Sequence, residues 1–169
     1  MSKMQKLHAG DIELAVSALL NYRVYTIVPN VSWGLGLRHE CDMLALDNND
    51  RFTEIEIKVT VSDLKADFKK RHNHASEFIS RLYYAMPIEL CEKYADIIPN
   101  HCGIISVKPI CNRDGQHILN KAQYYRMAKH DKTKRKPDQR TIMKFMKLGC
   151  MRIWSLKHHN NKTKLIATT

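Results

Sequence analysis

The 169-residue sequence predicts a single α/β domain, a sheet flanked by helices, and three observations lead there. Apolar residues recur alternately at helical spacing and at spacing two, giving the order αβββαβαβ over residues 11–107. Hydrophobic residues make up 44% and charged residues 27%, the proportions of a chain that folds around a core. Two alternating segments joined by Asp47-Asn48-Asn49-Asp50 read as a β-hairpin with one apolar face and one face of acids and a lysine.

The first helix is expected over residues 11–22, where Ile12, Ala15, Val16, Leu19 and Leu20 form one stripe behind an entry cap at Gly10 and Asp11. Residues 24–31 are β-branched and aromatic up to Pro29 and read as a strand running into a Gly-rich connection at 33–36. The hairpin arms are residues 38–46 and 51–59. Phe52, Glu54, Glu56 and Lys58 share one face of the second arm, and Thr53, Ile55, Ile57 and Val59 the other. If Asp42 stands opposite Glu56, then Leu44 stands opposite Glu54 and Glu40 opposite Lys58. That register needs an odd loop, 48–50, whose Asn and Asp residues tolerate left-handed backbone.

A helix follows over 62–71, with Ser62 as its N-cap and Asp63 in the first turn. Residues 78–86 read as a buried strand ended by Pro87, 88–94 as a short helix, and 103–107 as another buried strand. Residues 109–120 suggest a strand, an Arg113-Asp114-Gly115 turn and a short returning strand. A charge run at 129–136 is closed by Pro137, and Asp138 then caps a last helix with the stripe Ile142, Met146, Cys150 and Ile153/Trp154. Residues 1–169 are thus expected to be one domain, with a core at 11–107 and a basic extension and helix over 121–157.

Charge is distributed unevenly. Residues 1–120 carry 14 Lys+Arg against 15 Asp+Glu, and residues 121–169 carry 14 against 2, so the net +11 lies in the C-terminal part. Such a balance points to a polyanionic partner, although acidic proteins and membranes also attract basic chains. Tyr124, Tyr125 and Arg126 with Lys129, Lys132, Lys134, Arg135 and Lys136 mix aromatics and cations as phosphate-tracking surfaces do, and a solubilising charge run has the same composition. The five cysteines are odd in number with no C-x-x-C pair, which suits a reducing compartment and argues against a structural zinc site. With neither a signal-peptide core nor an apolar run of membrane-spanning length, a cytosolic protein without a membrane partner is expected.

The chemistry concentrates on the hairpin. Glu56 and Lys58 lie on one strand face two residues apart, and Asp42 on the neighbouring arm can bring a second carboxylate beside Glu56. Two carboxylates that close repel unless a cation sits between them, and oxygen ligands favour hard cations such as Mg²⁺ or Mn²⁺. Such an ion can polarise a phosphoryl oxygen and acidify a bound water while Lys58 orients that water, so phosphodiester cleavage suits the site. The same residues on an edge strand would be an ordinary solvated face.

Residues along the chain also resemble a known family. Arg38-His39-Glu40-Cys41-Asp42, then Glu56-Ile57-Lys58, Ser62 with Asp63-Leu64, Asp67-Phe68-Lys69, Ala85-Met86-Pro87, and Pro99 before Gly103-Ile104-Ile105 are similar to the PD-(D/E)XK nuclease superfamily, most of all its MmcB-like DNA-repair branch. Cys41 stands where the superfamily's name has proline, and Leu64 where the branch has an aromatic. The resemblance implies a restriction-endonuclease-like α/β sandwich, a central mixed sheet with helices on both faces. It also implies a metal-dependent DNA endonuclease, a hydrolase of repair or processing, with Asp42, Glu56 and Lys58 as catalytic residues. Asp42 and Glu56 would hold Mg²⁺ or Mn²⁺ with the carbonyl of Ile57, and Glu13 on the first helix is a secondary ligand. Lys58 would serve as base or water-positioning group. DNA is the expected partner, with a homodimer left open.

Lys69, Lys70 and Arg71 after the Glu-x-Lys strand, and Lys132, Lys134, Arg135 and Lys136 in the charge run, are the candidate nucleic-acid contacts. Glu40 and Glu54 are outer groups of the acidic face or salt-bridge partners. His72 and His74 in a polar break can bind metal or phosphate, or simply be solvated. Tyr83-Tyr84 reads as one core and one surface aromatic. Two alternatives stand beside the nuclease: a non-cleaving nucleic-acid-binding module on the same fold, and a basic adaptor for an acidic protein.

Overall fold

The structure, a computed structural model, describes residues 6–32, 35–37, 39–68, 74, 76–114 and 116–167, with 161–167 as helix backbone alone. Helix α1 (Ala9–Leu20) leads into β1 (Thr26–Val31), β2 (Cys41–Leu46) and β3 (Phe52–Ile57). Helix α2 (Val61–Asp67) connects to β4 (Ile79–Pro87), and α3 (Ile88–Tyr94) with a 3-10 turn (Ala95–Ile97) connects to β5 (Gly103–Cys111). Strand β6 (His117–Arg126) and helix α4 (Gln139–Ala167) complete the order.

The six strands form one sheet in the order β1-β2-β3-β4-β5-β6. β1, β2 and β3 pair antiparallel, β3, β4 and β5 parallel, and β5 with β6 antiparallel, so the sheet is mixed. Each parallel step carries a helix, because parallel neighbours need a crossover. Alternation along the strands supplies two apolar faces. Met43, Ala45, Ile55, Ile57, Tyr83 and Ala85 pack under α1 through Ile12, Ala15, Val16 and Leu20. On the other face, Ile142 and Phe145 of α4 cover Val28, Leu44, Leu46 and Phe52, while Leu64 of α2 and Cys91 of α3 cover Tyr84, Met86 and Ile104. This is the expected α/β sandwich with helices on both faces. Among the described residues no helix is long and apolar enough to cross a membrane.

The hairpin has the predicted register, with Leu44 opposite Glu54 and Met43 opposite Ile55. Its loop is the three-residue one: Asp47 N–H donates to the Arg51 carbonyl at 3.1 Å, Asp50 has φ 58°, and the Asp47 carboxylate accepts from Asn49 and Arg51 N–H, both at 2.9 Å. Several boundaries differ from expectation. The cap of α1 is His8, whose N–H donates to the Asp11 carboxylate at 2.8 Å, and the cap of α2 is Thr60 in place of Ser62, its hydroxyl accepting from Asp63 N–H at 3.1 Å. β5 runs unbroken through Pro109, and residues 121–126 belong to β6 rather than to a tail. Asp138 does cap α4, accepting from Thr141 N–H at 2.7 Å. The helix continues past 157 to Ala167, and its packed residues are Ile142 and Phe145, while Met146, Ile153 and Trp154 are exposed. Gly149 explains the slip in part, since a Cβ there would lie 3.2 Å from Val28 Cγ2 and the helix approaches β1 through it.

Candidate functional site

Between the two apolar clusters of the α4 face, β3 presents Glu54 and Glu56, and Lys58 follows at its end. β3 is interior to the sheet, and these residues are 0%, 1% and 3% exposed, which excludes the solvated edge strand. Charges so buried are costly unless each meets a partner. The Lys58 ammonium lies 2.8 Å from Glu56 Oε2, 3.3 Å from Asp67 Oδ1 and 3.9 Å from Asp42 Oδ2. Asp42 also accepts the Ile57 backbone N–H at 2.7 Å, which ties the approach of β2 to β3 at this point. Its side chain is 39% exposed, so the cluster meets solvent there.

A second set of contacts adjoins the first. The His74 ring bridges two acids, with Nδ1 2.8 Å from Glu54 Oε1 and Nε2 2.8 Å from Asp67 Oδ2. His39 Nε2 lies 2.7 Å from the same Glu54 oxygen, and the Tyr84 hydroxyl donates to Asp67 Oδ2 at 2.9 Å. Engaging carboxylates through both nitrogens requires His74 to be imidazolium. Burial opposes that charge but is outweighed by the hydrogen bonds to Asp67 and Glu54, and the His74 pKa rises to about 10.

The acids diverge. Burial would raise Glu54, yet hydrogen bonds from His39 and His74 outweigh it and hold the carboxyl near 2. Burial pushes Glu56 up to about 7, where the Lys58 charge only partly offsets it and Asp42 and Glu54 add repulsion. Burial disfavours the Lys58 ammonium, but Glu56 above all, then Asp67 and Asp42, hold its pKa above the ordinary lysine value. Glu13 on α1 is raised by its own partial burial and then by Asp42, which places it within the electrostatic reach of the cluster.

The donor set fits a divalent cation. Among the described residues Glu54 Oε2 and Glu56 Oε1 are buried without a hydrogen-bond partner, the condition that a cation would relieve. Glu54, Glu56 and His74 place potential ligand atoms within 4.8 Å of one another, but His74 as an imidazolium has no lone pair to give, so the carboxylates alone are donors there. His39, Cys41 and Glu54 form a second such group, but burial drives the Cys41 thiol far above its ordinary pKa, against the thiolate a metal needs.

Of the residues singled out in the sequence, Asp42, Glu56 and Lys58 meet, Glu13 stands near, and Ile57 contributes its N–H to Asp42. Glu54 is at the centre rather than the periphery, and Glu40 is exposed. His74 is a fixed bridge rather than a solvated loop residue. Lys69, Lys70, Arg71 and His72 lie outside the described residues. Tyr83 packs under α1 and Tyr84 bonds Asp67, so both are buried where one surface aromatic was expected. Among the tail cations, Arg126 is spent internally on the carbonyls of Ala95, Ile98, Pro99 and Cys102, and Arg135 pairs with Glu77 at 3.3 Å. Lys132 and Lys136 are exposed, and Lys134 is half-buried.

Asp67, His39 and the Tyr84 hydroxyl join the site although the sequence does not mark them as site groups. For Asp67 a signal existed: it lies three residues after Leu64, hence on the buried face of α2, where an acid demands a partner. His39 and Tyr84 carry no comparable local mark.

Fold and site together define a class, an α/β sandwich with a lysine ammonium clasped by carboxylates inside its sheet. The chain belongs to the MmcB-like family, described as DNA repair protein MmcB-like, which it matches over residues 2–160. A solved structure described as "SPO1766 protein of unknown function from Silicibacter pomeroyi" is 20% identical, with 90% of this chain and 94% of that one covered and a TM-score of 0.65. That likeness supports the fold alone. No curated protein matches the chain.

Proposed function

We propose that this member of a DNA repair family is a metal-dependent deoxyribonuclease hydrolysing phosphodiester bonds. The observation that carries the reading is the convergence of buried Glu56 and Asp67 and partly exposed Asp42 on the Lys58 ammonium. A fold tolerates such a concentration of ionisable groups, with one acid pushed to about 7 and another held near 2, chiefly where chemistry uses it.

Asp42 and Glu56 would hold Mg²⁺ or Mn²⁺, with the Ile57 carbonyl and Glu13 completing the set. When bound, the ion supplies Lewis acidity toward a phosphoryl oxygen and toward an attacking water. Asp42 is the member through which solvent and DNA reach the cluster. Lys58, held as an ammonium, orients the water and offers its charge to the pentavalent phosphate, so it positions rather than abstracts a proton. Asp67 fixes that ammonium, and His74 and Tyr84 fix Asp67.

A cleavage screen over linear, nicked, single-stranded, flap and four-way DNA with Mg²⁺ or Mn²⁺ tests this. Cutting should require the metal, and Asp42→Asn should lower it at least about a hundredfold, the scale of losing one group that stabilises a transition state, while the fold remains. Metal affinity should weaken as pH falls below about 7, where Glu56 takes up a proton, since only ionised acids bind the cation. One observation favours a non-cleaving DNA-binding module instead: Lys58 and His74 already balance the acids internally. DNA binding without cutting on any substrate would establish that reading.

A further inference from the structure

β5 begins at Gly103, opposite Tyr83, so among the described residues no strand flanks residues 79–82 of β4 on that side. The chain beyond β6 crosses there as a strap. Asp131 N–H donates to the Ser80 carbonyl, Lys129 N–H to His101 and Arg135 N–H to Glu77, each at 2.9 Å, and Arg51 holds the Lys134 carbonyl at 2.7 Å. Between strap and strand lies a cavity of about 410 Å³, within the size range of small-ligand sites. Among the described residues it is lined by Arg81, His101, Lys129, His130 and Lys134, with apolar surface from Ile79 and Leu82. His74 also lines it, so the cavity adjoins the acid–lysine cluster through that ring.

The lining is cationic. Asp131 is its one acid among the described residues, and it is engaged: Oδ1 accepts from Thr133 N–H and hydroxyl at 3.0 and 2.6 Å, and Oδ2 lies 3.8 Å from Lys134 Nζ. Arg81 stands 3.6 Å from Asp47, leaving donors of its guanidinium for another acceptor. The positive potential registers on His130, whose pKa is lowered by desolvation and then by Arg81, Arg51 and Lys132.

We infer that this cavity takes one backbone phosphate and its nucleoside from single-stranded DNA, beside the acid–lysine cluster. The inference rests on the DNA-processing reading for its partner but not on cleavage. Cations at the rim meet the phosphate and the half-buried Leu82 gives the sugar or base an apolar contact, while Arg81, which strand alternation sets on the Tyr83 face toward Asp47, adds to the positive potential. A duplex keeps its nucleotides stacked and cannot lodge one in a recess of this size without extruding it. The charge run read from the sequence therefore acts through Lys129 and Lys134, with Arg81 from the sheet, rather than as a uniform patch.

Fluorescence anisotropy with a labelled 20-nucleotide oligothymidine and an equally long blunt duplex tests this, in EDTA so that no strand is cut. The proteins are wild type, Arg81→Ala/Lys129→Ala, the strap charge reversal Lys129→Glu, and the remote control Lys93→Ala/Lys108→Ala. Wild type should prefer the single strand. The double variant should raise its Kd about tenfold or more and flatten the salt slope by roughly 0.7, the value for the one single-strand phosphate that the cavity holds, with the control within about twofold of wild type. Lys129→Glu alters only an exposed side chain, and alone should raise Kd several-fold even if the double variant folds poorly. Preference for the duplex, Lys129→Glu binding like wild type, or an equal loss in the control would overturn the inference. Absence of cleavage in a separate Mg²⁺ assay would overturn the nuclease reading and leave this one standing.

Discussion

Strand β3 and the strap at 127–137 both carry concentrated charge, under opposite conditions. On β3, Glu54, Glu56 and Lys58 are sealed in the sheet, and every charge is answered within hydrogen-bonding or ion-pair distance. On the strap, Lys129, Lys132 and Lys136 face water, which screens them and asks for no partner. Side-chain positions are therefore dictated at β3 and left open on the strap, whose backbone alone is held by hydrogen bonds. A buried charge sets the position of everything around it, and an exposed one mainly sets the potential.

The largest expected consequence is at Lys58. Lys58→Met removes the common partner of three carboxylates and should cost about 3–5 kcal/mol, as breaking a buried pair does, measured by urea denaturation. A loss below about 1 kcal/mol would mean that β3 tolerates its acids without the ammonium, and the contrast with the strap would collapse. Loss of cleavage in any Lys58 variant has to be read beside its stability, which makes Asp42→Asn the cleaner test of chemistry.

His74 sharpens the contrast through pH. Its folded pKa of about 10 lies above the ordinary 6.5, so its contribution is full below about 6.5 and is lost as pH rises through 10. Glu56, raised to about 7, likewise favours the folded state when protonated and loses that contribution as pH rises from 4.5 through 7. Glu54 runs the other way: its contribution is full above 4.5 and is lost as pH falls toward 2. Stability should thus peak near pH 4.5, decline through 7 as Glu56 ionises and decline further toward 10 as His74 loses its proton. His74→Gln should cost about 1.5–3 kcal/mol below pH 6.5, the scale of hydrogen bonds to charged groups, and flatten the decline between 6.5 and 10. Denaturation midpoints across that range decide it, and an alkaline arm unchanged by the substitution would count against the imidazolium bridge.

The smallest effect belongs to the strap. Lys132→Ala with Lys136→Ala should shift stability by no more than about 0.5 kcal/mol, the range of ordinary surface substitutions. A larger loss would show that the strap is held by its charges and not by its backbone hydrogen bonds to Ser80, His101 and Glu77.

Features decided within a few residues were legible in the sequence. The hairpin register followed from spacing two and from an odd Asp/Asn loop, because a one-residue slip would reverse every side chain on the strand. The short helix at Ile88–Tyr94 was read to its residue, being bounded by Pro87. The cap of α2 was misplaced by two residues because Thr60 and Ser62 offer the same hydroxyl chemistry. Residues 121–126 form a strand where the sequence suggests a tail, because their cations mask the β-forming Tyr124 and Tyr125.

The sequence by itself determined that Glu56 and Lys58 share a strand face, that Asp42 can reach them, and that the positive charge lies late in the chain. Each of these follows from backbone period or residue count. Only the tertiary structure decided that this face is sealed, because burial of β3 depends on its parallel partner β4, whose pairing crosses a helix. Only it brought Asp67 and His74 to Glu54 and Lys58, and carried the strap across β4 to enclose a cavity beside them. Contacts between residues far apart in sequence are set by how the elements pack, and local propensity holds no record of that.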